Sequence, residues 1–157
     1  MWFKGLMRAF PPAVRGILRS VRTERNLRVH LTAVVYVTWA GVLAGLDHTQ
    51  WALLCLCFGL VTALELVNTA VERLGDRVSR ERDPLIGAAK DAAAGSVLLA
   101  AVASVGVAVF LFSPWIASGE LLELIRNSPL FDGAFLLSLI PAAAWIAWDP
   151  KEANKTR

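Results

Sequence analysis

Between Trp51 and Leu64 the chain carries no charged side chain, and the residue that follows is Glu65. No other feature limits the fold as tightly. A run that apolar belongs in hydrocarbon, where a backbone satisfies its polar groups by coiling into a helix. Glu65 then lies inside the lipid layer or at its edge. A carboxylate there costs roughly 3 kcal/mol on insertion scales, and more in simulations, unless it faces a partner or a wet cavity. On a helix Glu65, Asn68, Glu72 and Asp76 share one face, because offsets of three, seven and eleven residues are close to whole turns. Glu72 stands two turns beyond Glu65, roughly 10 Å along the axis, and so reaches headgroup depth. One acid in the lipid layer and another at the water boundary, on a common line, mark a place where the polar head of a lipid can meet a soluble ligand.

Composition agrees with a small integral membrane protein. The 157 residues are 56% hydrophobic and 18% charged, with a mean hydropathy of +0.54, too apolar for an ordinary soluble domain. The start, M-W-F-K-G-L-M-R-A-F-P-P, has neither the sustained apolar run nor the small-residue cleavage site of a secretory signal. Cys55 and Cys57 lie within the apolar run. Two positions apart on a helix they point different ways, so they read as buried free thiols.

Taken in order, Val14, Ile17, Leu18 and Val21 follow the spacing of an amphipathic helix, with Arg15, Arg19 and Arg22 on another side. This predicts a surface helix over about 13–25, with Pro11 and Pro12 just before it or in its first turn. Its arginines suit anionic headgroups. No aromatic platform or groove motif accompanies them, so no nucleic-acid partner is expected. The run Leu31 to Leu46 is short for a span of about 20 residues, so a first span is expected over about 27–46. Asp47, His48, Thr49 and Gln50 read as a polar turn, and Trp51 opens a second span over about 51–74. A charged connection from Ser79 to Pro84 leads to a third span over about 88–112, ended by Ser113, Pro114 and Trp115. The run 130–148, with Asp132 near its start and Pro141 in its middle, is a candidate fourth span; a polar tail follows.

The basic residues orient these spans. Lys4, Arg8, Arg15, Arg19, Arg22, Arg25 and Arg28 precede the first span. Arg73, Arg77, Arg80, Arg82 and Lys90 lie between the second and third, and Lys151, Lys155 and Arg157 follow the fourth. The opposite side holds only Arg126. Both termini and the charged loop are therefore expected in the cytoplasm, which favours an even number of spans.

That face gathers Glu24, Asn26, Arg28, Glu65, Asn68, Glu72, Asp76, Lys90 and Asp91. Two of the carboxylates can hold a divalent ion such as Mg²⁺, which prefers oxygen and often shares its ligands with phosphates. A desolvated third is suited to general-base work. Lys90 and the arginines offer positive charge for a phosphate, completing the parts that phosphoryl transfer needs. The same side chains also fit two other classes: polar glue in a non-enzymatic oligomeric scaffold, or the relay of a transporter subunit. Asp76, Glu81 and Asp83 read equally well as a solvated loop. No glycine-rich nucleotide loop is present, and His30 and His48 fall on opposite membrane faces, which excludes a zinc pair.

The run E-L-V-N-T-A-V-E-R, followed by A-K-D-A-A-A-G-S-V-L-L, resembles the signature of the bacterial integral-membrane lipid kinases, the prokaryotic diacylglycerol kinase family, over about Val14 to Phe112. The resemblance implies an ATP-dependent kinase of diacylglycerol or undecaprenol in the bacterial inner membrane, assembled as a homotrimer of three-span protomers with shared active sites. Carried onto matching positions, it implies Glu65 as the catalytic base, Glu24 and Glu72 as Mg²⁺ ligands, and Asn68, Asn26 and Arg28 as supporting residues. Glu24, Glu72, Glu81, Lys90 and Asp91 are implied to contact ATP. The stretch T-E-R-N-L-R-V-H behind a basic helix looks more like the undecaprenol branch, and Ala94 stands where the diacylglycerol enzymes carry a serine near their lipid. Gly5 takes the aligned place of an N-terminal nucleotide-contacting arginine, with Arg8 a stand-in. The kinase domain is then expected over 1–117. The extension 118–157, with its fourth span, departs from the family pattern.

Overall fold

The computed structural model describes residues 2–78, 83–127 and 129–148, and among these it contains six α-helices and no strand. The helices are α1 (Trp2–Thr23), α2 (Arg25–Leu43), α3 (His48–Val78), α4 (Pro84–Ala117), α5 (Glu120–Asn127) and α6 (Pro129–Ala147). The tail beyond 148 and the loop residues 79–82, Glu81 among them, lie outside the described residues.

Helix boundaries depart from the sequence reading in ways that local chemistry explains. The amphipathic helix starts earlier, and α1 runs through Pro11 and Pro12. Each proline removes one helical donor. From Met7 to Arg19 the helix is exposed along its length, so the deprived carbonyls can turn to water or headgroups. The polar turn expected at 47–50 is a helix start instead. The amide of Gln50 donates to Asp47 Oδ1 at 2.9 Å while the amide of Asp47 donates to Gln50 Oε1 at 2.8 Å, a reciprocal cap. The turn itself falls just before, where Gly45 takes φ 63° after the end of α2.

Likewise α4 begins at Pro84, before the expected start, because Asp83 caps it by accepting from the amides of Leu85 and Ile86. It also continues past Pro114, the expected end. The Phe110 carbonyl that Pro114 cannot serve accepts the Ser113 hydroxyl at 3.1 Å instead.

Among the described residues two helices, α3 and α4, are long and apolar enough to cross a membrane, and they form the most extensive helix pairing there. The helix α2 packs on α3, and α6 crosses back to lie on α2 rather than beside α4. Burial is inverted relative to a soluble protein. Ser20, Arg28, Glu65, Asn68 and Thr69 are buried, whereas Leu98, Leu99 and Phe110 are 64%, 73% and 79% exposed. Water would penalise such a surface, and acyl chains do not. Both cysteines are free, but Cys55 faces outward and Cys57 is only half-buried, which corrects the expectation of buried thiols. The Cys55 thiol, facing outward, needs no partner in lipid, and Cys57 lines the groove between α2, α3 and α4.

Candidate active site

The site is organised by a break between α1 and α2. Glu24 leaves the helical region with φ −105° and ψ 117°, and its side chain makes no cap bond to α2. The carboxylate turns to its neighbours instead. Glu24 Oε1 accepts the Thr23 hydroxyl at 3.0 Å and Arg73 Nη2 of α3 at 2.8 Å, and Arg73 also donates to Thr23 Oγ1. An ion pair with side chains this exposed adds little stability; its effect is to fix where Glu24 points. The part played by Thr23 and Arg73 was not legible in the sequence, where Arg73 reads only as one more positive-inside residue.

Along α3 the acidic face forms as its spacing predicts. Glu65 and Asn68 are 3% and 5% exposed, while Glu72, two turns on from Glu65, opens to solvent. Asn68 donates through Nδ2 to Glu72 Oε1 at 3.3 Å, and its own Oδ1 is buried with no protein partner. The Glu65 carboxylate lies within electrostatic reach of the Asn26 side chain and of both Glu72 and Glu24. Side chains from two helices and from the break before α2 thus converge on one spot.

Other expected site residues take different positions. Lys90 Nζ, on α4, pairs with Asp76 of α3 rather than standing free. Gly75 makes that approach possible: a Cβ there would come within 2.6 Å of Lys90 Cε and 2.9 Å of Ile86 Cγ2. Gly75 is therefore a packing position rather than the loose helix end that its identity suggests. Asp91 is exposed on α4. Arg28 is buried but does not enter the acid cluster; its guanidinium turns to backbone carbonyls at helix ends.

Among the described residues no three ligand side chains stand close enough together to hold a metal by themselves. The donors that do converge are hard oxygens: two carboxylates of differing exposure and the unpartnered Asn68 Oδ1. That set fits a small divalent cation that completes its shell with phosphate and water, and it does not fit a soft metal. A groove of about 280 Å³ lies between α2, α3 and α4. Leu54, Phe58 and Val61 line it from the same face of α3 that carries Glu65, so it leads away from the acid cluster into the apolar layer.

An all-α molecule with buried polar side chains, and with acids on the same helix face as a small apolar groove, belongs to the class of membrane-embedded enzymes that act on lipid headgroups. The chain is a member of the prokaryotic diacylglycerol kinase family, whose model matches residues 12–112, and it is a lipid kinase. It is 40% identical over 107 residues to the undecaprenol kinase of Bacillus subtilis, covering 68% of this chain and 87% of that one. A diacylglycerol kinase of Synechocystis is 41% identical over 110 residues, 69% of this chain and 63% of the relative. The diacylglycerol kinase of Haemophilus influenzae is 54% identical over 41 residues, covering 26% and 35%. No solved structure matches the chain.

Proposed function

We propose that this protein is an undecaprenol kinase that transfers the γ-phosphate of ATP to the terminal hydroxyl of the lipid. The observation that carries the reading is the convergence of Glu24, Glu65 and Glu72, with Glu65 buried and Asn26 beside it. Glu65 accepts the proton of the lipid hydroxyl as that oxygen attacks the γ-phosphorus. The new bond joins the lipid oxygen to phosphorus, the bond from phosphorus to the β-phosphate oxygen breaks, and ADP leaves.

Glu24 and Glu72 would hold Mg²⁺, with Asn68 Oδ1 in support, and the bound ion would neutralise phosphate charge. Arg73 and Thr23 keep Glu24 aimed at that position. Lys90, released from Asp76, and Asp91 contact the nucleotide, with Glu81 in the neighbourhood. The groove below Glu65 excludes water and receives the first isoprene units, so the hydroxyl arrives at the base in a fixed pose.

The protein sits in the inner membrane with both termini in the cytoplasm. Helices α2, α3, α4 and α6 cross the membrane, α1 lies on its surface, and protomers associate as a trimer that shares its sites. The exposed apolar faces of α3 and α4 are suited to lipid or to a second copy.

The test is transfer of labelled phosphate from ATP, with Mg²⁺, to undecaprenol or to diacylglycerol presented separately in nanodiscs. Labelled undecaprenyl phosphate at the higher kcat/KM is expected. A preference for diacylglycerol overturns the substrate, and no labelled lipid from either alcohol overturns the reading and favours a scaffold or transporter.

A further inference from the structure

We propose that Arg28 is a positioning residue that couples the C-terminal helix α6 to the break carrying Glu24, so that α6 is a working part of the kinase. The family match ends at residue 112, which leaves α6 outside it. Yet the first helix after the break reaches directly into α6.

Arg28 is 3% exposed, and among the described residues no carboxylate pairs with it. Its charge is met by main-chain oxygens instead. Nη1 donates to the carbonyls of Val21 and Arg22 at 3.2 Å each, at the end of α1. Nη2 donates to the carbonyls of Ile146 and Trp148 at 3.3 and 2.7 Å, at the end of α6. The last carbonyls of a helix lack intrahelical donors and carry its negative dipole end. One planar guanidinium therefore joins two helix ends that otherwise repel, and each end supplies half of the acceptors that let the cation stay buried.

Two further features make this a coupling rather than a local cap. First, α6 holds α2 independently of Arg28: Phe135 stacks on Trp39 at 5.2 Å and meets Tyr36 edge-on at 5.6 Å, and Tyr36 Oη pairs with Ser138 Oγ at 2.9 Å. The position of the α6 end is thus set elsewhere and transmitted through Arg28. Second, the gripped segment is the one that matters. Val21 and Arg22 immediately precede Thr23 and Glu24, and Asn26, which lies beside Glu65, falls between Glu24 and Arg28. Loosening the end of α6 frees the end of α1 and with it the carboxylate of Glu24.

The catalytic consequence rests on the proposed role of Glu24, so the experiment has an arm that does not use activity. In the full chain, Phe135→Ala combined with Ser138→Ala removes the side-chain grip of α6 without touching the acid cluster. Amide hydrogen exchange over residues 21–27 should then accelerate at least about tenfold, the equivalent of one lost hydrogen bond to a charged group. Arg28→Lys keeps the buried charge but cannot bridge both helix ends at once, so the end of α1 loses its tether to α6 and exchange should rise over 21–24, while 144–148 stays held by Phe135 and Ser138. KM for Mg-ATP should rise several-fold in both proteins while KM for the lipid stays within twofold, a split that general destabilisation does not produce. Adding Arg28→Lys to the double variant should cause no further rise.

Faster exchange within α6 but an unchanged rate over 21–27 in the Phe135→Ala/Ser138→Ala protein overturns the coupling. So does an unchanged rate over 21–24 in Arg28→Lys. Intact coupling in exchange, together with an unaltered parent that phosphorylates no lipid, instead locates the failure in the functional reading.

Discussion

Glu65→Gln separates the chemistry proposed for this site from its architecture. Glutamine matches glutamate in size and keeps an oxygen beside Asn26, so the packing of a side chain that is 3% exposed is preserved. What disappears is a negative charge that faces two others, Glu72 and Glu24. A carboxylate at the centre of a membrane helix costs roughly 3 kcal/mol. Glu65 lies at the end of the apolar run rather than at its centre, so about 1 kcal/mol of that cost should return, raising the thermal midpoint by about 2–4 °C. Loss of a general base lowers turnover by about 10²–10⁴-fold, or roughly 3–5 kcal/mol in the barrier. The substitution should therefore inactivate the protein while leaving it as stable or more so. The assay pairs phosphate transfer in nanodiscs with circular-dichroism melting of the same preparation. Turnover within tenfold of the parent refutes the base assignment. Lost turnover with a lower midpoint refutes the claim that Glu65 is a charge held at a cost.

Three more outcomes follow from the same geometry. Glu72→Ala should weaken Mg-ATP binding at least about tenfold, since it removes one of two carboxylates from the cation and leaves Asn68 Nδ2 without its acceptor; titration calorimetry with a non-hydrolysable analogue checks this, and unchanged affinity removes Glu72 as a ligand. Lys90→Gln should raise KM for ATP several-fold whereas Asp76→Asn, which frees Lys90, should leave it equal or lower; parallel increases in steady-state kinetics would show that the pair is only structural. Gly41→Ala should cost about 1–3 kcal/mol by overpacking, because its Cβ would stand 2.9 Å from the Trp51 indole and 3.0 Å from Leu46 Cδ1; a lowered melting midpoint with KM for ATP intact is expected at this end of α2, far from Glu24.

Much of the molecule was legible in one dimension because lipid imposes simple rules. Apolar runs that must satisfy their own backbone become helices, so the all-α fold and the helices α2 to α4 follow from composition and charge placement. The face joining Glu65, Asn68 and Glu72 is a consequence of helical repeat alone. Boundaries were less legible because single caps set them: the Asp47–Gln50 exchange and the Ser113 hydroxyl over Pro114 each shifted a helix end by several residues.

Only the tertiary structure decided how separate helices meet. Nothing in the spacing of Glu24 from Arg73, or of Arg28 from Ile146, indicates that they touch, since those contacts depend on how α1, α3 and α6 lean on α2. The sequence by itself determined that a charge would be buried at the membrane edge, because an apolar run leaves an adjoining carboxylate nowhere else to go. Which neighbours make that burial tolerable was left to packing, because hydrogen bonds and ion pairs act over a few ångströms in space and are indifferent to distance along the chain.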